Sequence, residues 1–502
     1  MSQQEDMALE EPIQEQQTQM YEFENVNDLI FQIIDKTDMV RDQSNISAAE
    51  ELLNEFFNGV INETISVSGE LIAAIMGCIA KIDVTINEQL NEIIHQQDFM
   101  KLESSWRGVH YLVSNTDTNS MLKLRVFNIK KDELQDDLEK AIDFDQSYFF
   151  KMLYEQEYGV FGGIPYSFVI GDYEFGRGPE DISLLEKISN VCAAALAPFI
   201  SAASPELFDM KSFTELDIPR DLSKTFESNE MINWRSLVEK DDSRYIVLTL
   251  PHILMRLPYG PDTKKVKGLN FIEDVTEKDH SKYCWGNAAY ALGQRITNAF
   301  SKYNWCCAIR GVEGGGLIEG LPVHTFKSIN GDESYKIPTE IAITDRRELE
   351  LSELGFMPVV YCKNSNKAAI FGGQTIKKPD IFDDPVAEAN SRLSTVLPYV
   401  MACNRVGHFI KVMMRDKIGS FKSREEIETF LNNWVMNYVL AKDDAGHELK
   451  ARYPLREARI DVVEDPSRPG CYKAVAFLRP HFQLEKLTTS IRLVTDLPAR
   501  EN

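Results

Sequence analysis

The most glycine-dense stretch of the chain, Arg310-Gly-Val-Glu-Gly-Gly-Gly-Leu317, follows the apolar run Cys306-Cys-Ala-Ile309. A glycine turn after a strand cradles phosphate when a lysine and a hydroxyl close it and a helix begins there. Here Leu317-Ile-Glu319 follows, with neither group, and Glu313 would repel a phosphate. A tight backbone turn is the better reading. The eight histidines form no His-Glu-x-x-His pattern, and His252 and His280 stand 28 residues apart. His110 beside Tyr111 and His481 beside Phe482 read as satisfied groups. The vicinal Cys306 and Cys307 would need a depressed thiol pKa to be redox-active, and only Arg310 is near enough in sequence to supply one. No Cys-x-x-Cys occurs among the eight cysteines, which read as reduced core thiols. No Gly-x-Ser-x-Gly elbow is present. These residues assemble no catalytic constellation, no metal site and no cofactor site. The alternative kept open is a cytoplasmic α/β enzyme with a site near Arg310–Gly316 and Asp345–Arg347.

Charge is the next source of chemistry. The 502 residues carry a net charge of −24, which disfavours nucleic acid and anionic membranes as partners. The excess is local: residues 1–100 hold 20 acidic against 3 basic residues. Against that background Arg405, Lys411, Arg415, Lys417, Lys422 and Arg424 cluster within twenty residues, with Asp416 the only acid among them. Such a stripe is a solvated helix face or a contact with an acidic partner, where charge sets register and orientation.

The elements that must position these groups follow from pattern. Residues 1–20 hold five acids and six glutamines without the basic and apolar regions of a secretory signal, so a cytoplasmic protein is expected. Residues 1–24 read as a disordered tail. Ser47 with Glu50 suggests a capping box. Leu71, Ile72, Ile75, Met76, Ile79, Ile82, Ile86, Leu90 and Ile93 step by three and four, a long amphipathic helix whose stripe needs a partner. Strands are expected at 122–129, 166–170, 245–250, 357–362 and 368–371, and helices at 130–142, from Pro179, and at 283–303. The uncharged run Ile188–Pro205 reads as a buried helix rather than a membrane span. Such alternation predicts an α/β (α+β) body, with helices on a mixed sheet.

The last 120 residues change character. Helices are expected over 385–416 and 424–440. Arg459-Ile-Asp-Val-Val463 and Tyr472-Lys-Ala-Val-Ala-Phe-Leu478 flank a Pro- and Gly-bearing turn, a hairpin signal. Thr489-Ser-Ile-Arg-Leu-Val494 reads as a final strand. Open edges of this kind must be covered or used to bind another chain by strand addition. The expected organisation is a tail at 1–24, a helical region at 25–100, an α/β body at 101–380 and a linking region at 381–502.

Longer motifs carry a family signature. Leu102-Glu-Ser-Ser-Trp-Arg-Gly-Val-His-Tyr-Leu112, Phe144-Asp-Gln146, Phe161-Gly-Gly163 and Ile170-Gly-Asp-Tyr-Glu-Phe175 come first. Trp285-Gly-Asn-Ala-Ala-Tyr290, Arg310–Gly316, Pro338-Thr-Glu-Ile-Ala-Ile-Thr-Asp-Arg-Arg347 and Phe477-Leu-Arg-Pro-His-Phe-Gln-Leu-Glu485 follow in order. The sequence resembles the large subunit of the type VI secretion system contractile sheath (the TssC/VipB family). The resemblance implies a structural, non-enzymatic role with no cofactor. It implies pairing with a small sheath subunit (TssB/VipA type) and self-association into a six-fold helical tube around an inner tube of haemolysin-coregulated protein (Hcp). It also implies assembly on a baseplate, contraction, and recycling by an AAA+ disassembly ATPase (ClpV) mainly through the small subunit, without insertion in a membrane. On that basis Leu71, Ile75, Ile79, Ile86 and Leu90 are expected to face the small subunit. Arg459, Ile460, Val462, Val475, Phe477, Ile491 and Leu493 are expected in inter-protomer strands completing a small C-terminal sheet. Lys411, Arg415 and Lys417 are expected to face the inner tube.

Overall fold

The computed structural model describes residues 30, 34, 46–61, 71–267, 269–275, 280–327, 333–418, 423–442, 444–464, 472–481 and 483. The expected tail and the strand at 489–494 lie outside them. Two compact units divide the chain, Met1–Leu90 and Asn91–Asn502. In the first, Ile30, Ile34 and Ala49 form a small buried cluster against Leu53 of helix α1 (Ile46–Ile61). Because α1 already begins at Ile46, Ser47 sits inside its first turn and not at the flanking position a capping box requires. The stepped stripe is a single helix of 24 residues, α2 (Leu71–Ile94).

In the second unit, α3 (Gln97–Ser114) and α4 (Lys131–Lys140) precede a six-stranded mixed sheet. Its parallel part runs β1 (Val169–Phe175), β2 (Phe199–Ala203) and β3 (Ile246–Leu250), with α5 (Pro179–Ala195) between β1 and β2. Two short antiparallel pairs stand outside it: β4 (Ile253–Leu254) with β5 (Trp285–Gly286), and β7 (His324–Lys327) with β8 (Glu333–Lys336). The sheet continues through β6 (Leu317–Ile318), β9 (Met357–Cys362) and β10 (Lys367–Ile370), in the order β1-β2-β3-β9-β10-β6. β9 joins β3 in parallel, whereas β10 pairs antiparallel with both β9 and β6.

Alternation along the central strands builds two cores. Phe199, Ile246 and Leu248 point to one face, where α5 supplies Leu184, Leu185 and Ile188. Ile200 and Val247 point to the other, where α6 (Ala289–Tyr303) supplies Leu292 and Ile296. β2 and β3 are buried throughout and apolar except for Ser201 and Thr249, whose hydroxyls donate to the carbonyls of Gly171 and Ser201 respectively. Pro179 opens α5, where its missing N–H costs nothing.

Four expectations need correction. The uncharged run from Ile188 is the end of α5 followed by β2, so a turn at Leu196, in left-handed conformation, splits it. Residues 122–129 alternate but join no ladder: Leu122 and Ile129 pack against the cores while Val126 and Phe127 stay exposed. Residues 283–303 start their helix only at Ala289. Trp285-Gly286 is taken by β5, and the Asn287 side chain accepts the Ala289 N–H at 2.8 Å. The strand expected at 166–170 is displaced to Val169–Phe175.

Helix α7 (Asp345–Glu353) precedes β9 and sends Leu351 into the first core, and the C-terminal region packs α8 (Pro385–Ser394), α9 (Leu397–Lys417) and α10 (Arg424–Val435) ahead of a hairpin of β11 (Leu455–Glu464) and β12 (Tyr472–Pro480). Ser423 and Glu426 form a reciprocal capping box that starts α10. A third core of Trp305, Val406, Ile427, Leu431, Ile460 and Val462 joins the hairpin to α9 and α10.

Candidate functional site

The hairpin is the first assembly candidate. Its register runs unbroken from Glu457↔Arg479 to Glu464↔Tyr472. Period-two alternation divides its residues. Ile460 and Val462 are buried in the third core, whereas Val475 and Phe477 are exposed on the opposite face. The Arg459 guanidinium lies 4.9 Å from the Phe477 ring centroid and 2.9 Å from the Asp461 carboxylate. The structure thus brings five of the expected strand residues into one hairpin, two inward and three outward. Ile491 and Leu493 lie outside the described residues.

Helix α2 is the second candidate. Leu71 and Ile75 fall within it by backbone. Along its length Met76, Ile79, Ile82 and Ile86 are exposed, and Leu90 is half-buried. Sequence reasoning missed a second apolar stripe. On α3, Phe99, Leu102, Trp106 and Val113 are all exposed, Trp106 at 65%. Their spacing of three, four and seven was available in the sequence, but the segment was noticed only as a motif.

Lys411, Arg415 and Lys417 of the basic stripe lie on the last turns of α9, and each has an internal partner, whereas Arg424 opens α10 and Lys422 lies outside the described residues. The Lys411 ammonium sits 3.6 Å from the Tyr158 ring centroid and donates to Tyr154 Oη at 2.7 Å. Arg415 donates to the carbonyls of Tyr158 and Val160 at 2.9 and 2.8 Å. Lys417 lies 4.8 Å from the Phe430 ring. The tyrosines belong to a turn of π-helix, Lys151–Glu155, and the residues after it. Burial pushes the Tyr158 hydroxyl up to about 12.

The glycine loop is a backbone device. Gly311 and Gly315 have φ of +70° and +92°. Gly311 N–H donates to Ile370 O at 2.7 Å, and Ile370 N–H to Gly316 O at 3.0 Å, so the loop lengthens the β10 ladder. Arg310 spends its Nε on Phe371 O, and Arg347 donates to the carbonyls of Leu216, Ile218 and Arg220. Burial pushes the Cys306 thiol up to about 11 and raises Cys307 as well, so neither is an activated thiolate.

Sequence distance hid one cluster. His252 and His280 converge on Glu340, at 2.6 and 3.2 Å, and His252 also reaches Glu174 at 3.0 Å. Lys336 lies 2.8 Å from the other ring nitrogen of His280. Burial alone would favour a neutral His252, but the two carboxylates outweigh it and lift the imidazole to about 10. Burial works against the Glu340 charge too, and the histidines overcome it to about 2. These groups tie separate chain segments together. No group of three or more ligating side chains fit to hold a metal exists among the described residues.

Comparison with known proteins decides what these surfaces belong to. The family model VipB (EvpB/VC_A0108, tail sheath N-terminal domain) matches residues 77–377, and a second model, VipB_2 (EvpB/VC_A0108, tail sheath gpW/gp25-like domain), matches residues 386–497. The type VI secretion system sheath protein TssC1 of Pseudomonas aeruginosa is 48% identical over 457 residues, covering 90% of this chain and 91% of that protein. The chain belongs to the VipB/TssC family of type VI secretion system sheath proteins. It is a sheath large subunit, structural and not an enzyme, which closes the alternative of an active site at Arg310–Gly316. Two solved chains align more weakly, each at 10% identity. They are the anti-feeding prophage baseplate (TM-score 0.32, over 63% of this chain and 66% of that one) and its helical sheath in the contracted state (TM-score 0.34, over 62% and 66%). Among the described residues, no helix of this sheath subunit is long and apolar enough to cross a membrane.

Proposed function

We propose that this cytoplasmic subunit pairs with a small sheath subunit and polymerises with it, from a baseplate, as a six-fold helical tube around an Hcp-type inner tube. Contraction then propels the inner tube, and an AAA+ ATPase of the ClpV type recycles the sheath, chiefly through the small subunit. The α2 stripe of Leu71, Ile75, Ile79, Ile86 and Leu90 faces the small subunit, and the basic end of α9 faces the inner tube. The C-terminal strands of different protomers complete one small sheet that links successive rings. Head-to-tail contacts that pass from one ring to the next do not close on themselves and so build an open helical filament. Work comes from each protomer relaxing out of a strained lattice, with linking strands making the change cooperative.

The observation that carries this reading is the two-stranded β11–β12 sheet, packed on one face against α9 and α10 and leaving Val475 and Phe477 exposed on the other. Deleting residues 487–502 tests it. Pairing with the small subunit should survive while tubes fail to form; normal tubes from the truncated protein would contradict strand exchange.

A further inference from the structure

Helix α9 carries a different feature toward each end. Toward its C-terminus, Lys411 and Arg415 hold a short loop, residues 157–164. Phe150, Tyr154, Tyr158 and His408 stack in succession from the π-helical turn to α9, with ring centroids 4.9, 5.2 and 4.9 Å apart. Glu157 bridges to Arg125 through one carboxylate oxygen and accepts the Ile164 N–H at 2.8 Å through the other. A Cβ at Gly163 would fall 2.1 Å from the Glu157 carbonyl oxygen, so the loop closes tightly. What this frame holds out is apolar: Val160, Phe161 and Ile164 are exposed, Phe161 at 76%. Among the described residues, the Phe161 and Gly162 carbonyls accept no backbone hydrogen bond.

Toward its N-terminus, a cleft of about 650 Å³ lies between α8, α9 and the root of the β11–β12 hairpin. Leu393, Val400 and Leu478 give it an apolar wall, and its lining carries Arg244, Arg459 and Arg479 against one acid, Glu457. The Asn404 side chain, 5% exposed, accepts the Tyr245 hydroxyl at 3.3 Å, while its Nδ2 is buried with no partner among the described residues. A buried amide donor left unpaired is costly, and an entering carbonyl would satisfy it. Asn404 stands eleven residues before Arg415, about 17 Å along the helix, so loop and cleft are separate features of one protomer.

We infer that the tip at residues 160–163 of one copy seats in this cleft of a second copy, with Phe161 against the apolar wall and a tip carbonyl on Asn404 Nδ2. The contact rests on the polymerisation reading above. Three properties match across it. The apolar tip meets an apolar wall, free carbonyls meet an unpaired donor, and the exposed Glu155 on the approach to the tip meets an arginine-rich lining, which sets orientation. A knob toward one end of a helix and a hole toward the other make a heterologous contact, which passes from copy to copy and does not close a pair.

Two cysteines test it. Val160→Cys and Ser394→Cys both fall at exposed positions and leave Phe161 in place. Co-expressed with the small subunit and oxidised, the double variant should form tubes whose large subunits run as a ladder of dimers, trimers and higher multimers on a non-reducing denaturing gel. Either single variant should give the unaltered pattern. Phe161→Asp should keep small-subunit pairing and lose at least ten-fold in tube yield by negative-stain microscopy, whereas Phe161→Leu should assemble normally. Normal tubes from Phe161→Asp would overturn the contact, and loss of pairing in that variant would give the tip to the small subunit instead. No tubes from the unaltered chain would remove polymerisation and this contact with it; tubes of the double variant without a ladder would remove the contact alone.

Discussion

His252 Nδ1 lies 2.6 Å from Glu340 Oε2, and this contact binds the segment after β3 to the segment after β8. The pair is deeply placed, with Glu340 only 7% exposed, whereas Glu174, on the other ring nitrogen, is 52% exposed and more screened by water.

The pair dictates a pH dependence. His252 is raised to about 10, so its stabilisation is complete below the ordinary histidine range and is lost as pH climbs through about 10. Glu340 is lowered to about 2, so its share is present above the ordinary carboxylate range and is lost as pH falls toward about 2. From this pair, subunit stability should be greatest between roughly pH 4.5 and 6.5. His252→Gln should flatten the alkaline limb and cost about 3 kcal/mol near neutrality by leaving Glu340 buried without its charged partner. Denaturation of the subunit–companion complex across pH measures both effects; an unchanged alkaline limb would remove the assignment.

Phe356 anchors the first core. Its ring meets Phe208 at 4.7 Å and lies within 5° of parallel to Trp234 at 5.8 Å. Phe356→Ala should cost about 3–5 kcal/mol through lost burial and cavity formation. Loss of soluble complex, with folding partly recovered in Phe356→Leu, is the expected outcome.

Much of this fold was legible. Tyr245–Leu250 ends at Pro251 and became β3; the turn signal between Val463 and Tyr472 became the hairpin; the long stripe became α2. What sequence could not supply was pairing. Residues 122–129 have a strand's alternation, but a strand exists only where a neighbouring strand takes its hydrogen bonds, and among the described residues no strand pairs with them. Trp285-Gly286 looked helical because its partner, Ile253-Leu254, lies more than thirty residues earlier. For the site, composition located the basic stripe but not Tyr154 and Tyr158, which hold it from over 250 residues away. The Glu340 cluster was invisible for the same reason.

The α2 face should be separable from the body. Ile79→Asp with Ile86→Asp places two charges on exposed positions, so the fold should persist. Binding of the small subunit should fall at least a hundred-fold in co-purification. Trp106→Ala on α3 distinguishes a wider interface, which would weaken the same binding, from a narrow one.

Internal bonds and an inner-tube contact at α9 can also be told apart. Lys411→Ala removes a cation–π contact and a hydrogen bond and should cost about 1–2 kcal/mol. Lys417→Glu leaves the Lys411 and Arg415 bonds intact, and should yield sheath tubes that no longer co-sediment with the inner-tube protein. Full co-sedimentation would place that contact elsewhere.

The most direct measurement is a single image of the chain co-expressed with its small subunit. Long hollow cylinders under negative stain are the expected result. A compact, uniform particle that never polymerises when the companion is present would contradict the reading of this protein as a tiling, force-bearing subunit.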